Sequence, residues 1–422
     1  MPMQREKVIW KRFGRNLISF KKLETGEIIG TGLLNPILKR LGFLTMILVQ
    51  VNFYRGYKNL SKWKGKRVSN TFAPPLGSWP MVRLMLAAIK GRIIRHPYPV
   101  AMTFAVTYKC QCDCVHCSAG RHFRNDVPEL STEEAKRVID ETQDLGVSII
   151  AFTGGEPLMR KDIFELISYV DKRKAVPLLF TNGEFLTEDN ADKLAKAGLY
   201  SIFVSIDSVN PEEHDALRCK NGLFQKALDG IERMRERGIL VGISTYATKS
   251  ATEKGMYKKI YNLARDRKIQ NVMLFDGVPT GNILKNTDEM LTPDQREEIR
   301  KFSSKLFKNS VIPPLSSQAW QNSIEGYLGG IGCLAGNIQY YVSAYGEVTP
   351  CDFTPLSFGS MRKESLKKIW KRMVRHSAYN HRSTFCRMQN PNFRHFYIDP
   401  IPDDQILPYD IKKLPNVDYR SA

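Results

Sequence analysis

Six of the eight cysteines in this chain of 422 residues fall into two groups of three. Cys110, Cys114 and Cys117 stand in the segment Lys-Cys-Gln-Cys-Asp-Cys-Val-His-Cys. This Cys-x₃-Cys-x₂-Cys run supplies three thiolates, not four. Three thiolates hold three irons of a [4Fe–4S] cube and leave the fourth iron open to an outside ligand, where chemistry can start. Short cysteine spacings also build structural zinc sites, which need four closed ligands, and Cys112 or Cys219 could complete such a set. Cys112 lies two residues from either neighbour, too near to replace one of them, and reads as a bystander. The second group is Cys333, Cys351 and Cys386.

The elements that must position these thiols repeat from residue 100 onward. Short β-branched runs alternate with amphipathic stretches, the signature of βα units on a parallel sheet. Strands are expected at Ala101–Thr107, Ser148–Thr153, Pro177–Thr181, Ser201–Ile206, Leu240–Thr245 and Asn271–Phe275. Helices fit between them: Ser131-Thr132-Glu133-Glu134 opens one with a capping pattern, and Thr187–Ala197 and Asn221–Arg237 are others. Gly146, Gly198 and Gly238 stop three of them. Barrel enzymes carry their active residues at the C-terminal ends of strands. There stand the cysteine loop, Thr153-Gly154-Gly155-Glu156-Pro157, Thr181-Asn182-Gly183 and Ser205-Ile206-Asp207, with Arg218 a little beyond. Each has a plainer reading: Asn-Gly is a turn signal, Ser and Asp cap helices, and Arg218 can pair with a carboxylate. The glycine pair lets backbone approach a ligand closely.

Taken together, the cysteine run after an apolar strand and Gly-Gly-Glu-Pro after the next resemble the radical S-adenosylmethionine (SAM) superfamily. The resemblance covers about residues 98–390 and implies an α/β fold, a partial (β/α)₆ TIM-type barrel. It implies a [4Fe–4S] cluster on Cys110, Cys114 and Cys117 whose vacant iron chelates SAM. It also implies SAM contacts from Thr153, Gly154, Gly155, Glu156, Thr181, Asn182, Ser205, Asp207 and Arg218, with His116 beside the adenine. The stretch from Gly332-Cys333 through Gly346 to Pro350-Cys351 resembles the opening of a SPASM or twitch domain. Only Cys386 follows, so a second [4Fe–4S] cluster would hold three protein thiolates, with His381 and Asp352 as candidates for a fourth ligand. Buried structural cysteine is the alternative. The implied function is reductive SAM cleavage and hydrogen abstraction from a substrate C–H bond, with flavodoxin or ferredoxin as electron donor. A peptide substrate comes first, and a lipid or cofactor precursor second. Cys219 is a candidate thiol for returning hydrogen to a substrate radical. A zinc-stabilised binding protein without radical chemistry is the reading from another class.

Charge divides the chain. Residues 1–98 hold 19 Lys/Arg against Glu6, Glu24 and Glu27, so +16 of the total +20 sits there. The apolar run Leu41–Tyr54 is too short to span a bilayer, which takes about 20 helical residues. Basic residues with apolar and aromatic ones suit an anionic membrane surface, ahead of a basic subdomain packed on the barrel and of a nucleic-acid partner. Eight cysteines and no signal peptide point to a reducing, cytoplasmic compartment, peripheral to the inner membrane face. The expected organisation is 1–97 basic extension, 98–280 core barrel, 281–330 helical bridge, 331–398 auxiliary domain and 399–422 extended Pro-rich tail.

Overall fold

The computed structural model describes residues 7–11, 19–22, 28–31, 61–68, 70–93, 97–309, 311–321 and 332–421. The apolar run 41–54 and bridge positions 322–331 lie outside the described residues.

Near the N-terminus, β1 (Lys7–Lys11), β2 (Ser19–Lys22) and β3 (Ile28–Thr31) form an antiparallel sheet. A hairpin of β4 (Ser61–Trp63) and β5 (Lys66–Val68) and helix α1 (Trp79–Ile93) follow. Six parallel strands then pair in chain order: β6 (Ala101–Thr107), β7 (Ile149–Gly154), β8 (Val176–Thr181), β9 (Ser201–Ser205), β10 (Leu240–Ala247) and β11 (Asn271–Asp276). These strands are covered on both faces, which is why their sequences run nearly continuously apolar. The outer face, through Met102, Phe104, Phe152, Ile202 and Val241, meets helices α2 (Thr132–Asp144), α4 (Glu188–Lys196) and α6 (Leu223–Glu236). α2 starts at the expected capping box, with Ser131 accepting from Glu134 and Glu134 from Ser131. Two further helices of this layer are α3 (Ile163–Tyr169) and α5 (Pro211–Arg218).

The N-terminal end of the sheet is plugged by residues 61–68, 70–93 and 97–100. Val68, Trp63, Phe72 and Ala87 pack with inward-facing Ala151, Leu178 and Phe203. Ser201 Oγ donates to the Thr71 carbonyl at 2.7 Å, and Tyr200 Oη to the Ala73 carbonyl at 2.8 Å. This part of the basic extension packs on the barrel, leaving the opposite, C-terminal end of the strands open.

The sheet does not close. Past β11, helices α7 (Lys249–Glu253) and α8 (Met256–Asp266) having come before it, the bridge contains α9 (Pro293–Lys308), capped by Thr292 and Gln295. It also contains β12 (Leu315–Ser317), which adds to β11 in parallel before the short helix α10 (Gln318–Gln321). At the other edge β13 (Gln339–Val342) pairs in parallel with β6, and β14 (Val348–Thr349) folds back on β13 as a hairpin. The auxiliary segment thus continues the barrel sheet. The remaining elements are β15 (Leu356–Ser357), α11 (Leu366–Met373), α12 (Pro391–Tyr397) and β16 (Tyr409–Asp410). β16 pairs with β15, and Leu407, Ile411 and Tyr419 are buried, so the tail packs against the auxiliary domain.

Candidate active site

At the C-terminal end of the strands lies one cavity of about 220 Å³. It is lined by Cys110, Cys114 and Cys117, by His116, Thr153, Gly154 and Gly155, and by Thr181, Asn182, Ser205, Asp207 and Arg218. The topology brings these together because each follows a strand of the same parallel set.

The cysteine loop is held from four sides. Gly155 N–H donates to the Thr107 carbonyl and Glu156 N–H to the Lys109 carbonyl, both at 2.8 Å. Any Cβ on Gly155 would run into the Lys109 and Tyr108 carbonyls, and one on Gly154 (φ 147°) into that of Thr107. Val115 N–H reaches the Leu217 carbonyl at 3.2 Å, tying the loop to the end of α5. From beyond β11, Asn282 donates through its backbone to the Cys117 carbonyl and through Nδ2 to the Cys114 carbonyl, each at 3.1 Å. Gly281 has φ 53° and approaches the Cys117 carbonyl where no side chain would fit. Asn182 leans in from β8, its Nδ2 3.7 Å from the Cys112 sulfur and its Oδ1 accepting from Gln111. Gly281 and Asn282 escape a sequence reading, because Gly-Asn also reads as an ordinary turn.

Cys112 also lines the cavity, and its hydrogen bonds lower the Cys110 and Cys114 thiols, Cys114 to about 6. Burial pushes Cys117 up to about 11. Three thiols at a cavity wall, with backbone amides and Asn182 turned toward the loop, fit a cluster with one open iron.

Asp207 lies between Arg218 and His116, its Oδ2 2.7 Å from Arg218 Nη2 and 3.2 Å from His116 Nε2. Burial alone would raise its carboxyl, but Arg218 and then His116 outweigh it and hold it far below the usual range. His116 also stacks on Tyr246, with centroids 5.3 Å apart and planes 19° from parallel. Ser205 Oγ is 3.2 Å from Ser244 Oγ. Tyr246 and Ser244 were missed because both are interior to β10, where aromatic and hydroxyl residues read as strand formers.

Two candidates stand elsewhere. Glu156 is wholly buried below the cavity floor; it accepts from Thr181 Oγ1 and Asn182 N–H at 2.9 Å and from Leu158 N–H at 3.1 Å. It positions the end of β8, and burial raises its carboxyl to about 7 against those bonds. Cys219 caps α5 with φ 51°, is exposed, and does not line the cavity.

The far wall comes from the auxiliary domain, through Tyr341, Asp352 and Phe353, with Thr103 of β6. Asp352 accepts from Gln339 Nε2 at 3.3 Å, and burial raises it to about 6. It therefore faces the cavity, while the other fourth-ligand candidate, His381, is 3.1 Å from Tyr419 Oη. In the second group a hydrogen bond from Cys386 lowers the Cys333 thiol to about 5, and burial pushes the Cys351 thiol up to about 12.

Comparison with known proteins agrees with this arrangement. The profile of the Radical SAM superfamily matches residues 104–254, and that of SPASM, an iron–sulfur cluster-binding domain, matches residues 333–392. An AdoMet-dependent heme synthase of Methanosarcina barkeri is 33% identical over 290 residues, 65% of this chain and 82% of that protein. PqqA peptide cyclase of Granulibacter bethesdensis is 28% identical over 284 residues, 64% of this chain and 74% of that protein. Among solved structures, Streptococcus suis SuiB bound to precursor peptide SuiA superposes with a TM-score of 0.54 at 15% identity. That match covers 84% of this chain and 85% of SuiB, and shows a shared fold.

Proposed function

The chain belongs to the radical SAM superfamily and is an enzyme with a SPASM-type auxiliary domain; from that premise we propose that it abstracts hydrogen from an unactivated C–H bond of a peptide. When bound, the [4Fe–4S] cluster and SAM supply a 5′-deoxyadenosyl radical by one-electron cleavage of the sulfonium. Cys110, Cys114 and Cys117 would hold the cluster. Gly154 and Gly155 leave backbone free to meet the amino group of SAM, and the His116–Tyr246 pair offers a flat aromatic face to the adenine. Ser205, Asp207 and Arg218 supply polar contacts, while Thr181 and Asn182 brace the cysteine loop. The observation that carries this reading is the single cavity, walled by the cysteine loop on one side and by residues beside Cys351 on the other. A substrate there lies between the two cysteine groups. An acidic one-electron carrier of the flavodoxin or ferredoxin kind suits the basic chain.

The peptide reading draws support from the peptide cyclase similarity and from the peptide-bound fold neighbour. A second reading, a tetrapyrrole cofactor precursor, is favoured by the heme synthase similarity, which has the higher identity. One assay separates them. Reconstituted enzyme with SAM and a reductant is offered short peptides encoded beside its gene or iron-coproporphyrin. The peptide reading expects 5′-deoxyadenosine above the uncoupled rate, and a peptide mass change, with a peptide only. Stimulation by the tetrapyrrole alone overturns it.

Peripheral contact with an anionic membrane surface is proposed as well. No described helix is long and apolar enough to cross a membrane. α1, however, exposes Trp79 (68%), Val82 and Leu86 (57%) on one face, within the segment that carries the basic excess. That combination suits an interface.

A further inference from the structure

Arg387 follows Cys386 and heads the fully buried side chains by size, 1% exposed. A guanidinium does not lose its proton in a protein, and a buried charge without a partner of opposite sign is costly. Its donors nevertheless go to neutral groups. Nε donates to the Ala378 carbonyl at 2.8 Å and Nη2 to the His381 carbonyl at 2.6 Å, and the group lies 4.8 Å from the centre of the Tyr379 ring. Nη1 has no hydrogen-bond partner among the described residues. No described Asp or Glu forms an ion pair with it; the foremost negative charge acting on it is the Cys333 sulfur. Arg394 nearby is pulled down by burial and sustained by Asp399 and then by Cys386, so it has a carboxylate partner; it spends its fork on the Met388 and Leu284 carbonyls. Among the described residues the pocket thus holds a fixed cation with no carboxylate partner, next in the chain to Cys386 and beside Cys333.

We propose that Arg387 is the counter-charge of the auxiliary iron–sulfur cluster and raises its reduction potential. Three thiolates outweigh the positive charge of the iron–sulfide core, so the site is net negative and becomes more so when it gains an electron. A cation fixed in a dry pocket favours that reduced state, since net charge and burial set cluster potentials and charges interact strongly where water is excluded. The inference rests on the auxiliary cluster and not on the identity of the substrate.

The test is a redox titration followed by electron paramagnetic resonance, in full-length protein with Cys110, Cys114 and Cys117 changed to Ala so that only the auxiliary cluster is read. At the potential where the parent is half reduced, Arg387→Gln should cut the ratio of reduced to oxidised cluster about tenfold, a midpoint lower by ~59 mV for one electron. Arg387→Lys, which keeps the charge, should stay close to the parent. An unchanged midpoint in Arg387→Gln overturns the proposal. Should that variant fail to retain iron, Arg387→Lys decides: iron and midpoint both kept support the charge role, while loss of iron there overturns it in favour of a structural fork. The iron content of the parent protein checks the cluster itself independently.

Discussion

Asp207 and Arg218 keep each other charged inside the cavity, so removing either strands the other. Asp207→Asn should cost about 3–5 kcal/mol, the usual penalty for leaving one member of a buried pair alone. Denaturant unfolding of the native and variant proteins checks this, and a variant within 1 kcal/mol of the parent would count against a buried pair. The pH dependence follows from the same shift. Because the folded carboxyl titrates far below its unfolded value, the pair's stabilisation is complete above the ordinary aspartate range near pH 3.9 and is lost as pH falls below it. Tyr246→Ala removes one ring of the stacked pair and should weaken SAM binding about tenfold, on the order of 1–2 kcal/mol for an aromatic stack. Equilibrium dialysis with SAM measures it, and unaltered affinity would move the adenine elsewhere. At this scale the motif residues were legible by type and spacing. Their division of labour was not, because Glu156 and Gly155 are neighbours in sequence while one faces down into the core and the other up into the cavity.

At the scale of elements, the six strands and the starts of α2 and α4 were readable from apolar runs and capping residues, which are local signals. The pairing of β13 with β6 was not, since nothing in Gln-Tyr-Tyr-Val names a partner more than two hundred residues away. The same limit hid Gly281, whose contact with the cysteine loop crosses the whole βα repeat. Gly155→Ala tests how tightly β7 and the cysteine loop are packed. Its Cβ would displace the Lys109 carbonyl, and overpacking of this kind costs ~1–3 kcal/mol. Thermal melting together with iron analysis should show a lower midpoint and depleted catalytic cluster, and a variant that matches the parent in both would mean that the loop yields freely.

For the whole molecule, two groups of three thiols predict about eight irons per chain when both cubes are complete. Changing Cys333, Cys351 and Cys386 together to Ala should remove about half and spare the other cluster. Zinc in place of iron in anaerobically purified protein, without broad brown absorption, would end the radical reading. The uneven charge was plain from composition, yet its placement was not: the described residues between 61 and 100 plug the barrel, and α1 exposes Trp79, Val82 and Leu86 on one face. Co-sedimentation with anionic vesicles at low salt should exceed that with neutral vesicles, and should weaken with salt as exposed charges beyond about 8 Å become screened. Trp79→Ser with Leu86→Ser should reduce it, and equal recovery on neutral vesicles would point to the packed subdomain as the whole role of the extension.

The seam between β6 and β13 also has a meaning in time. The strand that leads into the cysteine loop leaves the ribosome with one edge unclaimed, and its partner at Gln339–Val342 is made roughly 230 residues later. At ~5–20 residues per second this is on the order of 12–46 s. During synthesis the loop borders an unsealed flank, and a cluster assembled from outside has that interval in which to arrive. Once β13 docks, that flank is sealed, and the open C-terminal end of the strands, where Cys110 is exposed, is the approach that remains.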